Sequence, residues 1–284
     1  AYRQVEEAQA EKDRQDAIRW TGNIEAKPIF DALKALREAG LSVREDAVGN
    51  LIGRLESARP RAKTLLLGSH LDTVRDAGRF DGALGVLLPI VALAELRRRG
   101  VTLPFAVEVL GFSEEEGVRF ASAYLGSKGY SGQLREADLA VRDASGVSVR
   151  EAMEKWSRGA PGAVTGKKNA ARAPRPQDLL GYVELHIEQG PVLEAEKRAV
   201  GVVSAIAGQT RGRITLRGQA GHAGTTPMGL RRDALAGAAE LIRFVESTAR
   251  LRTPLVATVG TLSVYPGAPN VIPDHAEVYY YVRH

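Results

Sequence analysis

The sequence contains no cysteine, which excludes disulfides, thiolate chemistry and cysteine-ligated metal sites. It also contains no long apolar run. The longest, residues 83–96, is shorter than the roughly 20 residues of a membrane-spanning helix and is rich in small side chains. Residues 1–20 are charged throughout, unlike a secretory signal. We therefore expect a cytoplasmic protein without membrane contact, whose metal ligands, if any, are histidine, aspartate and glutamate.

The remaining composition is that of a globular protein. Hydrophobic residues make up 44% of the 284 residues and charged residues 26%, near the averages for globular domains. The net charge is +5, which raises the question of a nucleic-acid partner. The densest basic stretch, residues 155–175, is also rich in Gly, Ala and Pro. We interpret it as a solvated connecting loop and expect no nucleic-acid partner.

Strands and helices alternate through the first two thirds of the chain. The pattern predicts strands at Thr64–Gly68, Phe105–Phe112 and Gly181–Leu185, and an apolar helix at Gly82–Arg97. Such alternation is typical of an α/β fold with a largely parallel sheet. In these sheets ligands bind outside the carboxyl ends of the strands, which is where the polar motifs of this sequence fall.

The pattern changes near residue 207. Strands are predicted at Arg213–Arg217, Ala257–Tyr265 and Ala276–Val282, with a helix at Arg231–Ser247 between the first two. Strand, helix, strand, strand indicates a small α+β domain. We therefore predict two domains, residues 1–206 and residues 207–284.

Several acidic residues and histidines follow the predicted strands of the first domain. His70 and Asp72 share the motif GSHLDT, and a carboxylate near a histidine suits a metal ligand whose other ring nitrogen must be oriented. Three consecutive glutamates, Glu114 to Glu116, follow the second strand. Adjacent carboxylates suit metal-assisted hydrolysis, in which one binds the metal and another moves a proton. Two histidines, His70 and His186, with Asp81 and one of the glutamates form a ligand set suited to Zn, Mn, Co or Ni.

Taken together, the motifs resemble those of a known family. The segments GSHLDTV, RFDGALGV, EEEGVRF, ELHIEQGPVLE, GHAGTTPM with RRDA, and GAPNVIPD are similar to those of the N-carbamoyl-L-amino-acid hydrolases and allantoate amidohydrolases. These form a branch of the metal-dependent aminoacylase and carboxypeptidase superfamily. The resemblance implies a catalytic domain with a mostly parallel sheet and an inserted α+β lid and dimerisation domain.

The resemblance also implies roles for individual residues. His70, Asp81 and His186 would bind one divalent ion, and Asp81 as a bridge with Glu116 would bind a second. Glu115 would be the general base, although the register against Glu114 stays open, and Asp72 would orient His70. Gln189 would contact the ureido group. His222, Asn270 and Arg283 would bind the substrate carboxylate and the developing oxyanion, with His222 also catalytic.

The implied activity is hydrolysis of a ureido acid, N-carbamoyl-L-amino acid or allantoate, to ammonia and carbon dioxide by a homodimer. Family members are longer, and the last histidine ligand of their second metal has no counterpart before His284. Both domains would then be incomplete at the C-terminus. The alternative is therefore a catalytically impaired truncated homologue that binds one metal or ligand without turnover.

Overall fold

The computed structural model describes residues 34–74, 77–159 and 175–284. The chain divides into two compact units, Ala1–Lys197 and Arg198–His284. The charged N-terminal segment and residues 160–174 of the basic stretch lie outside the described residues. The predicted loop character of that stretch is wrong at its start, because Lys155 and Arg158 belong to a helix.

The first unit contains a five-stranded sheet of order β1-β2-β4-β3-β5. Its strands are β1 (Ser42–Glu45), β2 (Leu51–Leu55), β3 (Thr64–His70), β4 (Ala106–Phe112) and β5 (Leu179–Val183). The predicted α/β class is confirmed, but the sheet is mixed rather than largely parallel. β3 pairs in parallel with both β4 and β5, whereas β1 and β2 form a hairpin that joins β4 antiparallel.

One face of this sheet is covered by helix α1 (Ala83–Arg98), one residue from its predicted bounds. Val86, Ile90 and Leu93 recur at helical spacing and are 4% exposed or less. They pack with Val107 and Val109 of β4 and with Leu36, where residues 34–38 are helical. The main core of the unit is this layer between helix and sheet.

Three helices that the sequence pattern did not predict follow β4: α2 (Leu125–Ser131), α3 (Glu136–Ala140) and α4 (Val149–Gly159). Residues of α3 and α4 pack in a separate cluster with Phe120 and Leu125, whereas α2 lies on the opposite face of the sheet. α2 packs there through Tyr130, which lies against Leu110 and Phe112. The Tyr130 hydroxyl also donates a 2.6 Å hydrogen bond to Glu108, a carboxylate 3% exposed. A buried carboxylate is costly without partners, and Arg44 and Arg54 of the neighbouring strands pair with Glu108 as well. The hydrogen bond from Tyr130 fixes α2 against β4.

The second unit is a three-stranded antiparallel sheet of order β6-β10-β8 with one long helix. A short helix, α5 (Val192–Ala195), ends the first unit; the second unit comprises β6 (Gln209–Arg217), β7 (Gly221–His222), α6 (Ala234–Arg250), β8 (Val256–Tyr265), β9 (Val271–Ile272) and β10 (His275–Arg283). α6 begins three residues after the predicted start, because the Asp233 carboxylate caps it by accepting from the amides of Leu235 and Ala236. The predicted order of strand, helix, strand, strand is observed, and the short ribbon of β7 and β9 is additional.

Within the described residues, no helix combines the length and apolar character that crossing a membrane requires.

Gly68 in β3 allows a test of how closely the central strands β3 and β4 pack. A Cβ added to Gly68 would lie 2.1 Å from the Leu110 carbonyl oxygen of β4, so Gly68→Ala must push two central strands apart. We expect a loss of about 1–3 kcal/mol in the free energy of unfolding, measured by urea titration. Gly181→Ala, in the edge strand β5 with nothing within 4 Å of the added atom, is the control and should shift it by less than about 0.5 kcal/mol. Equal effects would contradict this account.

Candidate metal and catalytic site

The parallel strands deliver their polar residues to one edge of the sheet. His70 is the last residue of β3, Glu114 follows the end of β4 by two residues, and His186 follows the end of β5 by three. Because β3 lies between β4 and β5 and runs parallel to both, the three carboxyl ends lie side by side. The site is therefore a direct product of the sheet topology.

Three ligand atoms converge at this edge. The Nε2 atoms of His70 and His186 are 3.2 Å apart. Asp81 Oδ1 lies 3.3 Å from Nε2 of His186 and 3.8 Å from Nε2 of His70. His70 and Asp81 are buried, and the side chain of His186 is 28% exposed.

The tautomers of both histidines are set by main-chain carbonyls. Nδ1 of His70 lies 2.5 Å from the carbonyl oxygen of Asp72, and Nδ1 of His186 lies 2.8 Å from that of Ile187. A carbonyl only accepts hydrogen bonds, so Nδ1 carries the proton in each neutral ring. Both Nε2 atoms therefore present lone pairs to each other and to the Asp81 carboxylate.

Such a group of acceptors fits a cation. No proton lies between the two facing Nε2 atoms in these tautomers, so a positive charge is the partner that all three atoms share. Zinc–nitrogen bonds of about 2.0–2.1 Å in a tetrahedral site place ligand atoms roughly 3.3 Å apart. Two of the three separations, 3.2 and 3.3 Å, match that spacing, and the third, between Asp81 and His70, is longer at 3.8 Å. Among the described residues, His70, Asp81 and His186 form a group whose ligand atoms all lie within 4.8 Å of one another.

Glu116 lies next to this group without belonging to it. Its Oε1 is 3.8 Å from Nε2 of His70, and its side chain is 32% exposed. That position beside the cluster is compatible with the second-ion role that the resemblance implies, which stays a prediction.

The three consecutive glutamates have different surroundings. The buried Glu114 carboxylate accepts hydrogen bonds from the amides of Arg119 and Phe120, at 2.7 and 3.0 Å. Glu115 instead accepts a hydrogen bond from the Ser127 hydroxyl, 3.0 Å from both carboxylate oxygens. Glu114 therefore holds its own loop, and the geometry favours Glu115 as the proton carrier.

Burial raises the pKa of the Glu115 carboxyl, and the hydrogen bond from Ser127 opposes that rise. A carboxylate with a raised pKa is a better proton acceptor near neutral pH. Burial raises the pKa of Glu114 as well, so the hydrogen-bond partners, and not the pKa, distinguish the two residues.

Asp72 acts through two different groups. Its carbonyl orients His70, whereas its carboxylate oxygen Oδ1 is 4.0 Å from the same ring nitrogen. The carboxylate accepts from the amides of Glu115 and Glu116 at 3.0 and 2.9 Å. The sequence pattern predicted the side chain as the group that orients His70. In the structure the main chain does this, and the side chain holds the segment Glu114 to Glu116, here called the acidic loop.

Several supporting residues were missed from sequence. The fully buried Asn50 donates to the Gly126 carbonyl at 2.8 Å and accepts from the Ser113 amide at 3.0 Å. It thereby joins the start of the acidic loop to helix α2. Glu184 accepts a 2.5 Å hydrogen bond from Ser69, which ties the segment carrying His186 to β3. These contacts join residues more than 60 positions apart, and no local pattern marks them.

Gln189 also contributes to the cluster. Its Nε2 donates to both oxygens of Asp81, at 3.0 and 3.1 Å. Its predicted contact with a ureido group stays a prediction.

A cavity of about 460 Å³ adjoins the site and is lined by His70, Glu115 and Glu184 among others. This volume is typical of small-molecule sites.

In the second unit, two of the three predicted substrate-binding residues are neighbours. His222 pairs with Val271 in the ribbon of β7 and β9, and the amide after His222 donates to the Asn270 carbonyl at 2.9 Å. The Gly224 amide donates to Nδ1 of His222 at 3.0 Å. Nδ1 is therefore an acceptor, and Nε2 of the neutral ring carries the proton.

Arg283, the third, ends β10. Its guanidinium carbon lies 5.5 Å from the centre of the Tyr281 ring, and the residue faces Gln209 across the sheet. The structure does not bring Arg283 together with His222 and Asn270 through any hydrogen bond among the described residues.

Comparisons with known proteins identify the family of this chain. Residues 66–282 match the model of peptidase family M20/M25/M40, so the chain belongs to this family of metal-dependent hydrolases. Within it, the chain is 46% identical over 242 residues to an N-carbamoyl-L-amino acid amidohydrolase of Geobacillus stearothermophilus, covering 85% of this chain and 58% of that protein. It is 43% identical to an allantoate deiminase of Arabidopsis thaliana, covering 84% and 49%. The predicted family resemblance is confirmed.

A solved structure supports the fold. A hydantoinase/carbamoylase family amidase from Burkholderia multivorans matches with a TM-score of 0.78 and 31% identity, covering 100% of this chain and 69% of that chain. The chain thus spans about half to three fifths of the length of the two curated relatives.

A glycine beside His70 tests the cluster. A Cβ added to Gly82 would lie 2.3 Å from Nδ1 of His70, at a position with φ of 72°. We expect Gly82→Ala to turn the His70 ring and to weaken binding of Zn²⁺ or Mn²⁺ about 10- to 100-fold, as measured by calorimetric titration.

The matched control is Gly78→Ala. Gly78 has a similar φ of 87° but nothing within 4 Å of the added atom. Both variants carry the backbone cost of roughly 1–2 kcal/mol, and only Gly82→Ala should lose metal affinity. Equal metal affinities in the two variants would count against the assignment of His70 as a ligand.

Proposed function

We propose that the chain hydrolyses a non-peptide C–N bond in linear ureido acids, N-carbamoyl-L-amino acids or allantoate, with release of ammonia and carbon dioxide. The observation that carries the proposal is the convergence of three lone-pair acceptors, from His70, Asp81 and His186, beside the acid–base candidate Glu115. The names of the two curated relatives support the choice of substrate class.

In this proposal, the residues of the site in the first unit have separate tasks. His70, Asp81 and His186 would hold a divalent ion, which when bound lowers the pKa of water and polarises a carbonyl group. Glu115 takes the proton of the attacking water and delivers it to the departing nitrogen. Ser127 holds the Glu115 carboxylate, and Asp72 keeps the acidic loop in place.

We further propose a second ion, bound by Asp81 and Glu116, with Zn, Mn, Co or Ni as candidates because nitrogen and oxygen ligands accept all four. Gln189 would contact the ureido group. The proposal also includes a homodimer in the cytoplasm, for which sedimentation tests the oligomeric state.

The second unit, predicted as a lid and dimerisation domain, would bind the remainder of the substrate. Arg283 offers a planar fork that pairs bidentately with a carboxylate. His222 offers a proton on Nε2, as the hydrogen bond from Gly224 requires, and so suits an oxygen that gains negative charge. Asn270, whose main-chain carbonyl accepts from the amide after His222, would supply a further polar side chain.

The test is ammonia release by the metal-loaded 284-residue chain offered allantoate and a panel of N-carbamoyl-L-amino acids. We expect Glu115→Gln to lower turnover by about 10²- to 10⁴-fold, because general acid–base catalysis is lost. Metal stoichiometry and melting temperature should stay near those of the parent chain, because the size of the side chain is preserved.

Glu114→Gln is the matched control. It should lower the melting temperature, because Glu114 accepts from two loop amides, and should retain most of the turnover. A folded, metal-loaded Glu114→Gln variant that loses as much turnover as Glu115→Gln would move the general base by one residue. A parent chain that binds metal but releases no ammonia from any of these compounds would overturn the proposed function.

A further inference from the structure

The turn that follows His222 is held by a single arginine side chain, that of Arg231. Its Nη2 donates to the carbonyl of Ala223 at 2.5 Å and its Nε donates to the carbonyl of Thr226 at 3.0 Å. Within the described part of the chain, no carboxylate forms an ion pair with Arg231. The guanidinium is therefore directed at the two ends of one short turn.

We infer that Arg231 is a positioning residue that fixes the tautomer and orientation of the His222 ring through this turn. The inference rests on the proposed function, in which His222 donates a hydrogen bond to the substrate. It goes beyond that function by assigning a task to a residue outside the site.

The geometry of the turn gives the physical reason. The amides of Thr225 and Thr226 donate to the carbonyl of His222, at 3.3 and 3.1 Å, and the amide of Gly224 donates to the His222 ring at 3.0 Å. The ring is thus aimed by a main-chain amide in the middle of the turn. The Gly224 amide moves with the turn. A contact that fixes the turn, such as that of Arg231, therefore also keeps the proton of the neutral His222 ring on Nε2.

Arginine suits this task better than lysine. Its planar guanidinium donates to two carbonyls at once, whereas a lysine ammonium is a point charge on a flexible stem. Arg231 spans the turn from Ala223 to Thr226, so both ends are held by one rigid group. Loss of the guanidinium removes both of these contacts together and leaves only the main-chain hydrogen bonds of the turn.

The neighbouring residue offers a matched control. Arg232 has the same side chain and is exposed, and its side chain makes no hydrogen bond or ion pair within the described residues. Its main-chain carbonyl accepts from the Gln219 amide, a contact that a substitution of the side chain leaves in place. Arg231→Met and Arg232→Met therefore remove the same charge from adjacent positions.

The experiment reads the tautomer directly. The ring nitrogens of ¹⁵N-histidine-labelled chain are observed by NMR at mildly alkaline pH, and His222 is assigned by comparison with His222→Gln. We expect one dominant tautomer with the proton on Nε2 in the parent chain and in Arg232→Met. In Arg231→Met the two nitrogen shifts should move toward each other, as in an averaged mixture of tautomers.

A second pair of variants guards against unfolding. If Arg231→Met melts the second unit, Arg231→Lys is compared with Arg232→Lys, since lysine keeps the charge and the apolar stem but not the fork. Unchanged His222 shifts in a folded Arg231 variant would overturn the inference, whether or not the chain releases ammonia.

The kinetic readout separates positioning from substrate contact. Where the chain turns over substrate, Arg231→Met should lower kcat by about 10- to 100-fold with little change in KM. A rise in KM with unchanged kcat and an unchanged tautomer would show that Arg231 binds substrate, and would overturn the inference as well. Failure of the proposed function itself appears separately, as absence of ammonia release by the parent chain.

Discussion

The geometry of the first unit depends on one buried residue, Asp72, which connects the ends of two parallel strands. Its carbonyl fixes the His70 ring, and its carboxylate accepts from two consecutive amides of the acidic loop. A carboxylate that is 3% exposed is costly unless it is hydrogen-bonded, and hydrogen bonds to a charged acceptor are the stronger kind. The orientation of His70, the proposed metal ligand, and the position of Glu115, the proposed base, are thereby coupled, since both are held by contacts with Asp72.

The acidic loop is held from its other side by a second buried network. Asn50 is fully buried and its amide contacts Asp46, Ser113 and Gly126, so both its donor and its acceptor are satisfied. Satisfied networks of this kind stiffen the segments they join. Gly126 is required there, because an added Cβ would lie 2.2 Å from the Ser113 carbonyl. The proposed base Glu115 and its partner Ser127 therefore lie on segments that one network joins: the end of β4, the turn before β2 and helix α2.

Sequence reasoning succeeds where the information is local and fails where it is not. The apolar runs of β3, β4 and α1 and the polar residues after them predicted which side chains meet at the sheet edge. The mixed sheet was not predicted, because strand direction in β1 and β2 is decided by their hairpin and not by composition. α2 was missed because its Gly-rich sequence has weak helical propensity and is held by tertiary contacts through Tyr130. The division of labour among the glutamates depends on amides at residues 119 and 120 and on Ser127, which only the folded loop brings close.

In each of the three histidines of the polar motifs, a main-chain group in contact with Nδ1 determines which ring nitrogen carries the proton. His70 and His186 each donate from Nδ1 to a carbonyl, so Nε2 is left as a lone pair, the form that a cation requires. His222 instead accepts at Nδ1 from an amide, so Nε2 carries a proton, the form that an oxyanion requires. In the neutral ring, Nε2 is thus an acceptor in the first unit, where the backbone offers Nδ1 a carbonyl oxygen, and a donor in the second unit, where the backbone offers it an N–H. The imidazole itself has no tautomer preference strong enough to override these contacts. The main-chain groups of Asp72, Ile187 and Gly224 therefore determine whether Nε2 of each ring accepts or donates.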